Sequence, residues 1–350
     1  MGLGDETIPP GEEAAIDRVL RASEQLLDRT TDPVRRDQHP KQHGCVRAEF
    51  TVLDDLPETH RVGLFREPRT YPAWIRFSNG GQTDDRKPDA HGMAVKLMGV
   101  EGDKVLDEER DATTHDFVMV DNPIFFLPDA IAYGNFSTAL LKAKGKEPSA
   151  LYSALSFLPG KAREMGTVAL LYFLPARIGQ FLKLIRFVSK RLGSPLGTRY
   201  WSTTPYAFGP GGAMKFSARP TLGPVEPPAG ASADYLRGAM VERLSRADAV
   251  FDFQVQLQAD PDAMPVEDPT VAWDEGKSPF RTVARLRIPA QEFAIPELLA
   301  FGENLSFTPW HAIADHRPLG GINRTRKRVY AILSRLRHEL NGATMREPTP

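Results

Sequence analysis

The chain has 350 residues, of which 41% are hydrophobic and 25% charged, with a formal net charge of −1. Such a composition folds around a core, and its charge balance lacks the basic excess of a nucleic-acid binder. A single cysteine, Cys45, excludes a disulfide framework and a multi-cysteine metal site, and it fits a reducing, cytoplasmic compartment.

The opening residues, "MGLGDETIPPGEEAAIDR", have no basic start and no apolar run, so no signal peptide is expected. Residues 10–29 read as an amphipathic helix, with Ala15, Val19, Leu20, Leu26 and Leu27 on one side. Residues 46–53 alternate as a strand, with Val46, Ala48, Phe50 and Val52 on one face. "AWIRFSN" (73–79), "HGMAVKLMGV" (91–100) and "HDFVMV" (115–120) read as three more strands. Short strands joined by Gly, Pro and Asp turns predict an antiparallel sheet or barrel.

Helices are expected over about 128–192. The most apolar stretch, 151–192, is interrupted by Pro159 and Pro175 and by charged residues. It has no uncharged run of the roughly 20 residues a membrane span requires, so it reads as a pair of helices. The second places Lys183, Arg186, Lys190 and Arg191 beside Phe181, Leu182, Leu184, Ile185 and Phe187. Core packing or an oligomer contact accounts for that face, and a peripheral membrane contact through 176–192 is the other reading. Strand patterns return at 213–220, 251–258 and 282–288. Residues 322–341 read as a final helix, with Val329, Ile332, Leu333, Leu336 and Leu340 as its apolar stripe. With strands on both sides of the helices joining one sheet, the class is α+β in one domain.

The final helix begins with "RTRKRVY". At about 100° per residue, Arg326, Tyr330 and Arg337 fall within roughly 40° of the helix wheel, at the edge of the apolar stripe. A solvated charge run is one explanation. The other is that two guanidiniums stabilise the phenol as phenolate, an anionic ligand suited to ferric iron and the proximal haem ligand of catalases.

Several segments, in order, resemble the catalase superfamily. "QHPKQHG" is similar to its distal-histidine segment, "WIRFSN" and "PDAHGMAVKL" to two of its strands, "DNPIFFLPDA" to its N-x-P-x-F-F segment, and "RKRVYAILSRLR" to its tyrosine-ligand helix. "FDFQVQLQ", "VEDPTVAWDE" and "LSFTP" also match in order. The length and "LSFTPWHAIADHRPLGGINRTR" look closer to the compact catalase-related branch, which includes haem peroxidases and coral-type allene oxide synthase. On this resemblance the extra flavodoxin-like domain of large catalases is not expected.

This resemblance implies an antiparallel β-barrel core with surrounding helices and bound ferric haem b. It divides residues 1–350 into an N-terminal helical arm (1–35), a first barrel half (36–127), a helical insertion (128–200), a second barrel half (205–290) and a proximal segment and helix (300–345). It makes Tyr330 the iron ligand, held as phenolate by Arg326, and sets Arg337, Arg76 and Arg36 on the haem propionates. Tyr133 stands where the family stacks an aromatic ring on the haem. His39 is the implied distal acid–base, with His43 four residues on as its competitor, and Ser78 is its hydrogen-bond partner. Val120 occupies the family's distal-asparagine position, and a one-residue shift would bring Asp121 or Asn122 over the iron. Gln38 is a polar neighbour able to tie up the imidazole.

The expected function is a haem enzyme acting on peroxides, with organic or fatty-acid hydroperoxides ahead of hydrogen peroxide. A small catalase and a non-catalytic haem protein are the alternatives. A homo-oligomer is expected, and no nucleic-acid partner.

Overall fold

The computed structural model of the chain describes residues 2–143, 172 and 177–349. Nine strands form one antiparallel sheet: β1 (Gln42–Val52), β2 (Thr70–Asn79), β3 (His91–Met98), β4 (Thr114–Val120), β5 (Tyr200–Trp201), β6 (Tyr206–Ala207), β7 (Ala213–Pro220), β8 (Ala249–Leu257) and β9 (Arg281–Ile288). The order is β5-β4-β3-β2-β1-β9-β8-β7-β6, and β5 also pairs with β7. That last pairing closes eight strands into a barrel, with β6 appended to β7.

Alternation along the strands sends one set of side chains inward. On β1 these are Val46, Ala48, Phe50 and Val52, as their spacing predicts. Aromatic rings fill the interior. Phe253 lies 5.0 Å from Phe50 and 4.7 Å from Phe117, which is 4.9 Å from Phe216, centroid to centroid. The barrel is a packed core, so any sizeable ligand must bind on its outer face.

Six α-helices are present among the described residues: α1 (Glu12–Leu26), α2 (Ala130–Ala143), α3 (Ile178–Phe187), α4 (Tyr235–Leu244), α5 (Pro296–Asn304) and α6 (Gly321–Leu340). The first of the two helices expected in 151–192, with Pro159 and Pro175, lies outside the described residues. No described helix is long and apolar enough to cross a membrane. Two helices were not foreseen. α5 is short and contains Gly302, where a Cβ would come within 2.5 Å of Cys45 Cβ. That close approach seats α5 on β1, and with it Glu303.

The basic run at the start of α6 is engaged rather than solvated. Arg324 pairs with Glu6 at 2.6 Å and Glu267 at 2.9 Å, and also with Glu12. Arg328 meets Glu13 and Asp17 at 3.0 and 2.8 Å. Lys327 lies over the Trp310 ring. Farther along, the expected apolar stripe gives way: Arg337 and His338 are buried while Leu340 is exposed, because this part of the helix faces α5 with groups that bind its carbonyls. Arg337 donates to the Glu303 carbonyl, and His338 Nε2 lies 2.8 Å from the Asn304 carbonyl.

Candidate functional site

A slot runs between the outer wall of the barrel and α6. It consists of a hollow of about 680 Å³ and a neighbouring one of about 130 Å³, both lined by Arg36, His39, Val118 and Tyr330. The larger is of the size that holds small molecules and cofactors. Strand register builds the wall. Across β2, β3 and β4 the outward-facing residues align in two rows, Arg76–Ala94–Val118 and Ser78–Gly92–Val120. Small residues on the middle strand keep the wall flat.

His39 lies in the loop before β1, with its ring against that wall. Its Nδ1 is 3.1 Å from Ser78 Oγ, its backbone N–H donates to the Gly80 carbonyl at 3.0 Å, and its own carbonyl accepts from Arg76 at 3.1 Å. The ring fits only because residue 92 is glycine, since a Cβ there would come within 2.6 Å of Nδ1. Burial, and then the Arg76 guanidinium, push the His39 pKa down to about 4. The imidazole is therefore neutral at neutral pH, the form that can accept a proton.

His43, the competing candidate, does not line the slot. It is buried on β1, where its Nε2 lies 2.9 Å from Asn79 Oδ1, beside the Lys41–Asp85 ion pair. The pairing of β1 with β2 shifts register between Gln42 and Gly44, around His43.

One end of the slot is strongly basic. Arg36, Arg76 and Arg337 converge on Glu303: Arg36 Nη1 lies 3.0 Å and Arg76 Nη2 3.6 Å from its carboxylate, and Arg337 reaches its carbonyl. Burial lowers the pKa of all three, and repulsion from neighbouring guanidiniums adds to it for Arg36 and for Arg337, which falls to about 10. Among the groups in direct contact, three guanidiniums face one carboxylate, which leaves two positive charges over. Arg76 Nε is also buried without a hydrogen-bond partner. A flat group carrying two carboxylates fits this end of the slot by charge and by the unused donor. The two propionates of a haem meet that description.

On α6, Tyr330 lines both hollows and Arg326 the larger one. The helix wheel thus places Arg326, Tyr330 and Arg337 on the slot, as expected. The direct Arg326–Tyr330 pairing expected from sequence is absent. Arg326 Nη1 instead donates to Thr204 Oγ1 at 3.1 Å and Asn323 Oδ1 at 3.2 Å. Among the described residues no group of three or more His, Cys, Asp or Glu side chains could hold a metal ion.

Asp121 and Asn122 are not brought to the slot. The Asp121 carboxylate binds the backbone N–H and Nδ1 of His91, each at 3.0 Å, and Asn122 donates to Asp121 and to the Phe187 carbonyl. The residue that faces the larger hollow is Val120. Strand alternation explains the correction. Val120 shares the outward row with Ser78 and Gly92, so a one-residue shift would turn Asp121 out of that row. Tyr133 does line the larger hollow, and burial pushes its phenol up to about 12. Its hydroxyl accepts from Gln38 Nε2 at 2.8 Å, so Gln38 engages this phenol rather than the imidazole. Sequence reasoning missed Glu303, Gly92 and Thr204. The first is a lone carboxylate in an unforeseen helix, and only strand register would have placed the second beneath His39.

No protein-family model and no curated protein sequence matches the chain. Solved structures do match. A bacterial catalase is 17% identical with a TM-score of 0.64, covering 98% of this chain and 65% of that one. A fungal catalase is 16% identical with a TM-score of 0.65, covering 97% and 67%. Catalase A from Saccharomyces cerevisiae is 17% identical with a TM-score of 0.68, covering 99% and 71%. The chain spans about two thirds of the length of these catalases. At such identity the likeness is one of fold: the closed antiparallel barrel with its surrounding helices is the catalase fold.

Proposed function

We propose that this chain is a compact, catalase-related haem enzyme that acts on peroxides, with organic or fatty-acid hydroperoxides as its substrates. One observation carries the reading: a phenol, a neutral imidazole held from behind and a doubly cationic arginine cluster all face one slot. Ferric haem b, when bound, supplies the chemistry of O–O bond cleavage.

In this reading Tyr330 is the iron ligand, with Arg326 beside it. Arg36, Arg76 and Arg337 hold the propionates, since guanidinium pairs with carboxylate in a two-pronged fork. Tyr133 packs against the ring, and its Gln38 bond fixes its hydroxyl. His39 does the proton work. With Nδ1 directed at Ser78, Nε2 is the nitrogen left to take a proton from the peroxide and return it to the departing oxygen.

The choice of an organic substrate follows from the wall beside His39. Val120 stands there, while Asp121 and Asn122 are turned away. Phe125, Phe136, Leu140 and Leu184 extend the apolar lining. An alkyl chain gains about 25 cal/mol for each Å² buried on such a surface, whereas hydrogen peroxide gains nothing there. The second reading, dismutation of hydrogen peroxide, is favoured by the barrel shared with three catalases. A cytoplasmic homo-oligomer is the form we expect, and exposed Ile178 and Leu182 on α3 are where a peripheral membrane contact would form.

The test is to purify the protein with haem supplied, record its spectrum, and add hydrogen peroxide and a fatty-acid hydroperoxide in parallel. The expected result is a high-spin ferric spectrum of tyrosinate type, lost in Tyr330→Phe, with faster consumption of the lipid hydroperoxide. Rapid oxygen release from hydrogen peroxide would select the second reading. A wild-type protein that takes up no haem would overturn both.

A further inference from the structure

Arg76 touches two things at once. Its Nη2 lies 3.6 Å from the Glu303 carboxylate at the basic end of the slot and 3.1 Å from the backbone carbonyl of His39. The second contact matters because of the backbone it holds. His39 has φ 58°, in the left-handed region that side-chain-bearing residues rarely enter. Among the described non-glycine residues only Thr203 shares this conformation, and both residues line the larger hollow. Strained backbone persists only where the surroundings over-determine it.

Besides the side chain's contact with the Asn79 backbone on β2, three hydrogen bonds hold His39: its N–H on Gly80, its Nδ1 on Ser78 and its carbonyl on Arg76. The first two tie it to β2 and the turn that follows. The third alone runs to a group whose other partners change when an anion enters the slot. Arg76 Nε is buried without an acceptor, and the Glu303 contact is long. The guanidinium therefore has an unused donor, Nε, at the place where a carboxylate would bind.

We infer that Arg76 is a positioning residue for His39: carboxylates arriving at the arginine cluster complete the hydrogen bonding of Arg76, and so fix the left-handed backbone of His39. The inference rests on the haem reading for the identity of the ligand, and on this chain's own contacts for the coupling. It assigns the propionate end of the slot a task beyond anchorage. A flat ligand of the same shape without carboxylates fills the slot but leaves the histidine loop loose.

The experiment is amide hydrogen exchange over residues 36–41. Wild type and Arg76→Lys are each compared with metal-free protoporphyrin IX and with its dimethyl ester, with uptake followed by porphyrin absorbance. In wild type the diacid should slow exchange in this segment roughly tenfold or more, and the ester should not. Arg76→Lys should still take up the diacid through Arg36 and Arg337, without the added protection. Equal protection by acid and ester, or full protection in Arg76→Lys, would overturn the inference while leaving the haem reading intact. Should the ester fail to enter, or the variant fail to fold, the remaining arm decides. A wild-type protein that binds neither porphyrin would overturn the inference, whereas the haem reading falls only if the protein also takes up no haem.

Discussion

Ser78 Oγ stands 3.1 Å from Nδ1 of His39, on the outward row of the barrel wall that also holds Gly92 and Val120. If the imidazole donates from Nδ1 to Ser78, Nε2 is left without a proton and able to accept one. Ser78→Ala removes this bias without touching the slot's basic end. The expected result is unchanged haem content with peroxide turnover down about tenfold, the range in which partners that orient a functional histidine act. Turnover equal to wild type would mean that another contact sets the tautomer.

Gly92→Ala is a sharper test of the same geometry. A Cβ there would meet His39 Nδ1 at 2.6 Å and Ser78 Oγ at 2.9 Å. Both are fixed by hydrogen bonds, so the ring must swing away. Overpacking of this kind costs about 1–3 kcal/mol. The variant should denature earlier by that amount and lose peroxide reactivity more completely than Ser78→Ala. Wild-type stability and turnover would show that the ring can retreat freely.

Much of this arrangement was legible in the sequence. The strand expected at 213–220 is β7, Ala213–Pro220, and the helix expected at 322–341 is α6, Gly321–Leu340. Alternation and helical period are local signals, although β7 is buried on both faces over Ala213–Ala218. β5 and β6 have two residues each, too few to alternate, although β5 closes the barrel. Arg36, His39, Arg76, Ser78, Tyr133, Arg326, Tyr330 and Arg337, all picked out in the sequence, line one or both hollows of the slot. Asp121 and Asn122 do not, because parity along β4 turns Val120 to the slot. Glu303 was invisible, since its meaning comes from three arginines that lie far away in the chain.

Glu303 is the next prediction. Its carboxylate sits among buried guanidiniums and is itself mostly covered. Glu303→Gln removes the one negative charge in direct contact with them. The ligand-free protein should lose about 1–3 kcal/mol, the cost of leaving buried charged donors poorly paired. Loading with protoporphyrin IX should then raise the melting temperature more in the variant than in wild type, because the propionates meet a larger uncompensated charge. An equal rise in both would show that Glu303 does not compete for these arginines.

Stability should fall on both sides of neutrality, for separate reasons. Burial, and then nearby charge, hold His39 at about 4, and burial holds His316 at about 4. Both lie below the ordinary 6.5, so the unfolded chain binds protons that the native state refuses. Their contribution is complete above pH 6.5 and is lost as pH falls from 6.5 towards 4. His311 behaves in the opposite sense. Burial and Lys96 lower its pKa, but Asp116 at 2.9 Å and Glu109 at 2.6 Å outweigh them and raise it to about 9. Its contribution is complete below pH 6.5 and is lost as pH rises from 6.5 through about 9. His311→Gln should therefore lower stability near neutrality, by on the order of 3 kcal/mol at most. It should flatten the alkaline limb between pH 6.5 and 9 and leave the acid limb in place. Denaturant melts across pH 4–10 read both limbs at once, and an alkaline limb that survives His311→Gln would assign that loss to another group.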